Sequence, residues 1–244
     1  MADLITSFER REFKYFLDGD QYAALMDILR QHMEEDEYGE HTISNIFFDT
    51  DTYEVTRASI EKPVYKEKLR VRAYGTPDPE TGTVFIELKK KYNKVVYKRR
   101  ILVTIPEAHA FLSDGVTPAS ADPQITGEIA RFMELHRPTA KVFLCYDRMA
   151  LFGKDDPDLR ITFDRNLRWR DTDLSLCAGA WGEPVLPDAR VLMEIKVPGV
   201  MPLWLAQALS ELKIYRTSFS KIGVCYKTFL IPKYFMKKAV NVHV

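Results

Sequence analysis

Along most of this chain, hydrophobic and polar positions alternate one for one, the period of a β-strand with one buried face. Residues 8–16 open the pattern, with Arg10, Glu12 and Lys14 on one side. It returns at 42–49, 65–74, 83–91, 94–105, 141–151, 159–168 and 190–197, for eight expected strands. The Pro- and Gly-rich stretch Gly75 to Gly82 joins two of them as a hairpin, and a short turn near Asn93 extends it to a meander. Helical spacing interrupts the strands. Tyr22, Leu25, Met26 and Leu29 predict a helix capped by Asp18 or Asp20, and Ile129, Phe132 and Met133 predict one over 125–136. Leu203, Ala206, Leu209 and Leu212 predict a third over 202–212. A loop or short helix precedes residue 65, residues 118–123 and the stretch with Gly179, Gly182, Pro184 and Pro187 are loops, and 226–238 reads as a helix or strand broken at Pro232.

Three consecutive strands carry positive charge on every second residue. Lys66, Lys68, Arg70 and Arg72 share one face, with Leu69 and Val71 pointing the other way; Lys89 and Lys91, then Lys98 and Arg100, repeat the pattern. Such a row on one strand is ordinarily a solvated face. On three neighbouring strands it sets like charges opposite one another, which destabilises the sheet unless an anion compensates. A mixed Arg and Lys lining suits a chain of phosphates better than a single carboxylate, because guanidinium forks bind phosphate oxygens in pairs while ammonium groups add compact charge.

Composition sharpens this. Lys plus Arg number 35 and Asp plus Glu 35, a formal net charge of zero, so the basic faces are a local arrangement and bulk nucleic-acid binding is not expected. With 244 residues and 46% hydrophobic content the chain can bury a large core, and no linker divides it, so one domain over 1–244 is expected. Cys145, Cys177 and Cys225 are far apart and fit a reducing compartment. No segment resembles a signal peptide or approaches the roughly 20 apolar residues of a membrane span. A soluble, cytoplasmic protein without direct membrane insertion is expected, any membrane association coming through a membrane-protein partner.

Eight mostly antiparallel strands with heavily charged polar faces predict an α+β, mainly β fold: a closed eight-stranded antiparallel β-barrel forming a tunnel, its charged faces inside and its helices packed outside. At this point the residues resemble a known family, the VTC-type polyphosphate polymerase domain, a branch of the triphosphate tunnel metalloenzyme (CYTH-like) superfamily. The resemblance is carried by Glu12-Phe13-Lys14-Tyr15, the run Ser44 to Thr50, Leu69 to Arg72, Glu87-Leu88-Lys89, Lys98-Arg99-Arg100, Tyr146-Asp147-Arg148, the run Leu159 to Asp164, Met193 to Lys196, and Ser218 to Lys221. Each is weak alone; their order and spacing are fairly specific.

The resemblance implies that Lys14, Arg70, Arg72, Lys89, Lys98, Arg148, Arg160, Lys196 and Lys221 are phosphate ligands, with Arg100, Tyr146 and Ser220 as weaker carry-overs. Glu194 corresponds to the ligand of Mn²⁺ or Mg²⁺; Glu12 and Glu87 are either further metal ligands or salt-bridge partners of the lining. Lys14, Arg70, Arg72, Arg148, Arg160 and Glu194 are the implied catalytic set. The expected substrates are ATP and inorganic polyphosphate or triphosphate. In the hydrolytic and cyclase branches the first strand typically begins Glu-x-Glu-x-Lys, whereas here it reads Arg10-Arg11-Glu12-Phe13-Lys14. Losing that carboxylate weakens the case for a second, water-activating metal and favours phosphate as acceptor.

Three functions are therefore weighed: a polyphosphate polymerase, a metal-dependent inorganic or nucleoside triphosphatase, and a non-catalytic polyphosphate-binding module. Asp49 and Asp164 read as turn or strand-end residues, Phe47, Phe48 and Trp169 as core, and the five His residues lack ligand spacing. No Gly-rich phosphate loop is present. Replacing Arg70 or Arg148 by alanine is expected to leave the fold intact, because like-charge repulsion is relieved.

Overall fold

The computed structural model describes residues 11–93 and 95–236. In chain order the elements are β1 (Arg11–Leu17), α1 (Gly19–His32), β2 (Met33–Glu35), β3 (His41–Asp49), α2 (Glu54–Ile60), β4 (Tyr65–Tyr74), β5 (Thr83–Tyr92) and β6 (Val95–Thr104). There follow α3 (Ile105–Asp114), α4 (Pro123–His136), β7 (Thr139–Gly153), β8 (Arg160–Arg170), β9 (Glu183–Pro184), β10 (Val191–Val197), α5 (Leu203–Glu211), β11 (Arg216–Thr217) and α6 (Lys221–Cys225).

All eight expected strands are present, as β1, β3 to β8 and β10, within two residues of their expected bounds where these are described; residues 8–10 of the first and residue 94 of the fifth lie outside the described residues. Three strands too short to show a period, β2, β9 and β11, bring the sheet to eleven strands among the described residues. The fold is thus α+β with a mostly antiparallel sheet. Its pairings run from β11 at one end to β6 at the other, so among the described residues a closed eight-stranded barrel is not shown.

Local chemistry explains the helix ends. Asp18 caps α1 by accepting from the Gln21 amide at 2.8 Å while the Gln21 side chain accepts from the Asp18 amide, a reciprocal capping box. Sequence periodicity missed α3, yet its signal was present. Thr104 and Glu107 form a second capping box that spans Pro106, a residue favoured in the first helical turn. The expected break at Pro232 does not occur. The chain stays helical in wider π turns over Tyr226–Leu230 and Pro232–Met236, with the Ile231 amide donating to the Tyr226 carbonyl five residues back. Residues 237 and 238 of that expected element lie outside the described residues.

The described chain gathers into two compact units, each drawn from separated segments: 11–41, 147–167 and 186–219 in the first, 42–146, 168–185 and 220–236 in the second. In the first unit the odd positions Tyr15, Leu17, Ile161, Phe163, Met193 and Ile195 pack against Leu25 and Leu29 of α1 and Leu205 and Leu209 of α5. In the second, Leu69, Val71, Ile86, Leu88, Ile101 and Phe143 pack against Phe111 of α3 and Ile129 and Phe132 of α4. Within each unit the helices therefore cover the apolar face of the strands, leaving the alternate, charged positions on the other. No described helix is long and apolar enough to cross a membrane.

Candidate phosphate and metal site

In the second unit the antiparallel register sets the basic residues directly across from one another. Lys66 faces Lys91, Lys68 faces Lys89, Lys89 faces Lys98, and Glu87 stands between Arg70 and Arg100. Glu87 is 1% exposed and organises its surroundings. The Arg70 guanidinium donates to Glu87 Oε2 through Nε at 2.7 Å and through Nη2, and Arg72 Nε lies 3.9 Å from the same oxygen. Lys98 Nζ sits 2.6 Å from Oε1, close enough to neutralise it although the alignment falls short of a directed hydrogen bond. Burial alone would raise the Glu87 carboxyl, but Arg70, Arg72 and Lys98 outweigh it and hold it down at about 2. Burial pushes Lys66 down, and the neighbouring lysines Lys91, Lys62 and Lys89 add to it.

Arg72 is the most buried cation of this face. Its Nε donates to Asn45 Oδ1 at 2.9 Å and its Nη2 to the Tyr146 hydroxyl at 3.2 Å, while the Lys221 ammonium lies 4.6 Å from the centroid of the Tyr146 ring. Asn45, wholly buried, also donates to the Leu144 carbonyl at 3.0 Å and so fixes the Arg72 fork. Asn45 is a positioning residue not expected from the sequence, whose available signal was a polar amide inside the apolar run Ile43 to Phe48. The Arg100 guanidinium packs over Phe85, and the Ser220 hydroxyl caps α6 by accepting from the Gly223 amide at 3.3 Å. That bond leaves the hydroxyl hydrogen unused.

The first unit is more mixed. On its charged face Lys14 pairs in register with Glu194, and Glu12 with Lys196, while on the other side of β10 Glu194 faces Thr162 and Lys196 faces Arg160. Lys14 Nζ lies 3.2 Å from Glu12 and 3.1 Å from Glu194, so both carboxylates address one ammonium. Arg148 grips the fully buried Asp164 with both fork positions, at 2.6 and 2.8 Å. Asp164 is therefore a buried ion-pair partner, whereas Asp49 is the strand-end residue expected of it, accepting from the amides of Thr50, Val55 and Thr56. The expectation that Arg70 or Arg148 can be removed without cost does not fit these contacts. Each neutralises a carboxylate with almost no exposure, and stripping one partner from such a pair is strongly destabilising.

A single divalent cation suits this donor set. Glu194 is 7% exposed with Glu12 beside the same ammonium, and Mg²⁺ or Mn²⁺ is commonly held by one or two carboxylates together with substrate phosphates and water. Among the described residues no three acidic, His or Cys side chains converge into a cage made by protein alone. Glu87, ringed by cations, is suited to the salt-bridge role. A cavity of about 500 Å³ in the second unit is lined by Trp169, Trp181, Phe229 and Lys233, and none of the expected phosphate ligands borders it.

The model of one family, the VTC domain, matches residues 9–230. The chain belongs to the VTC domain family. Among solved structures, a candidate adenylate cyclase from Bacillus halodurans is similar over 92% of this chain and 96% of its own, with 13% identity and a TM-score of 0.52, which establishes a shared fold. A candidate adenylate cyclase from Vibrio parahaemolyticus matches over 89% and 97% at 14% identity with a TM-score of 0.47, and the PH1819 protein of Pyrococcus horikoshii over 90% and 99% at 10% and 0.46. No curated protein sequence matches the chain significantly. The VTC family is the one that the chain's motifs resemble.

Proposed function

We propose that this VTC domain is a metal-dependent polyphosphate polymerase, moving the γ-phosphate of ATP onto a phosphate or polyphosphate acceptor with release of ADP. The observation that carries the reading is the second unit's charged face. There Arg70, Arg72 and Lys98 surround one buried carboxylate, and rows of lysine continue past them along β4 and β5. Closure of the strands into a tunnel, implied by the resemblance, is part of the proposal. Phosphoryl transfer asks little covalent chemistry of the protein; it asks for positioning and for neutralisation of charge on the transferred group.

Arg70, Arg72, Lys89, Lys98, Arg100, Tyr146 and Lys221 would hold one stretch of phosphates, and Lys14, Arg148, Arg160 and Lys196 would act beside Glu194. A divalent cation bound by Glu194, with Glu12 alongside, would supply charge neutralisation at the leaving oxygen. Lys14 keeps the two carboxylates together and can itself donate to a phosphate oxygen. The choice of polymerase over triphosphatase rests on Arg10, which stands where hydrolytic relatives typically carry a glutamate and lies outside the described residues. An ATP-using enzyme with three cysteines and no disulfide fits the cytoplasm.

The test is to incubate the protein with ATP and Mn²⁺ and to measure both free phosphate and a gel-resolved polyphosphate ladder. A ladder with ADP and little free phosphate is expected. Free phosphate alone would replace the reading with a triphosphatase, and neither product would leave a binding module.

A further inference from the structure

Among the described residues of the first unit, one buried side-chain oxygen is left without a hydrogen-bond partner. Thr162, in the middle of β8, is 4% exposed, and its hydroxyl has no hydrogen-bond partner among the described residues. Leaving a buried hydroxyl unmade costs the desolvation of that group, and folded proteins rarely tolerate it without a reason. A threonine in a strand can often satisfy itself on nearby backbone; this one does not.

Its position supplies the reason. Thr162 is directly opposite Glu194 in the antiparallel register, so the two side chains emerge on the same face, with Cβ atoms of such pairs about 4.5–5.5 Å apart. Across β10, Glu194 is paired with Lys14; two residues along β8, Arg160 is paired with Lys196. The hydroxyl therefore stands beside the carboxylate suited to a divalent cation and within a group of three cations suited to an anion.

We propose that Thr162 is a substrate ligand, its hydroxyl donating to an oxygen of the phosphate held at Glu194 by Lys14, Arg160 and Lys196. The proposal rests on the phosphate-handling reading above and adds to it a neutral donor. Such a donor orients a phosphate without adding to the repulsion among the cations. A hydrogen bond to a charged acceptor is stronger than one between neutral groups, and it forms only when the anion arrives.

The test compares wild type, Thr162→Val and Thr162→Ser. Tripolyphosphate binding without metal is measured by calorimetry, and the melting temperature of the free protein is measured alongside. Valine keeps the shape and removes the hydroxyl. It should bind tripolyphosphate about tenfold more weakly, while serine should stay within about twofold of wild type. The free valine protein should melt no lower than wild type, because the group removed was unsatisfied. Thr162→Ala gives the same reading should the valine branch pack badly. Valine binding within about twofold of wild type overturns the proposal. So does an affinity loss that serine shares and that follows a lower melting temperature, which would mark a packing role. If wild type itself fails to bind tripolyphosphate, the phosphate reading falls and takes this inference with it; normal wild-type binding with an indifferent valine removes the inference alone.

Discussion

The charged faces of the two units solve opposite problems. In the second, one carboxylate, Glu87, is shared among Arg70, Arg72 and Lys98, and lysines face lysines across β4, β5 and β6. In the first, acid and base are nearly balanced: Glu12, Asp164 and Glu194 are interleaved with Lys14, Arg148, Arg160 and Lys196. An excess of cation attracts a polyanion but offers a metal nothing. A balanced face with a buried glutamate can seat a cation and a phosphate together. The difference teaches that gripping a phosphate chain and activating one of its bonds demand different charge ratios, and under the proposed function each would fall to its own set of strands.

The comparison breaks most visibly at Glu194. Glu194→Gln should lower turnover at least about a hundredfold while tripolyphosphate affinity without metal stays near wild type. Steady-state assay beside calorimetry checks this, and retained turnover would remove the metal from the first unit. Glu87→Gln attacks the other side. Taking away the shared carboxylate leaves three crowded cations, which should cost the free protein roughly 3–5 kcal/mol in denaturant unfolding, with much of the loss recovered on adding tripolyphosphate.

The same residue sets an acid limit. Its carboxyl titrates lower in the folded protein, at about 2, than in the unfolded chain, so its stabilisation is complete above the ordinary glutamate range and is lost as pH falls toward 2. Wild type should lose on the order of 3 kcal/mol from this group across that window, and Glu87→Gln should not. The smallest effect belongs to the lysine rows. Lys91→Gln relieves its cross-strand repulsion with Lys66 and should raise free-protein stability by about 0.5 kcal/mol while weakening binding of long phosphate chains. Equal stability of mutant and wild type would mean that counter-ions already screen this pair.

Much of the fold was legible because a strand's period is a local property: side chains alternate whatever the strand pairs with. The hairpin expected over 65–74 and 83–91 was legible for that reason, and of the two caps the sequence offered for α1, Asp18 or Asp20, the structure uses Asp18. The short strands β2, β9 and β11 were not, since two or three residues carry no period. Helix α3 was overlooked although Thr104 and Glu107 announced it, because the preceding strand's alternation runs into the cap. The rows of basic residues were visible for the same local reason. Asn45 and Asp164 were not, because their roles depend on partners 27 and 16 residues away.

By itself the sequence determined which residues share a face, where charge repeats, and the family to which the chain belongs. Tertiary structure alone decided how those charges are neutralised. Only strand register places Glu87 among three cations, Glu194 beside Lys14 and Thr162 across from Glu194. Burial then turns those adjacencies into chemistry, because removing water is what makes an ion pair costly to break and an unmatched hydroxyl costly to leave.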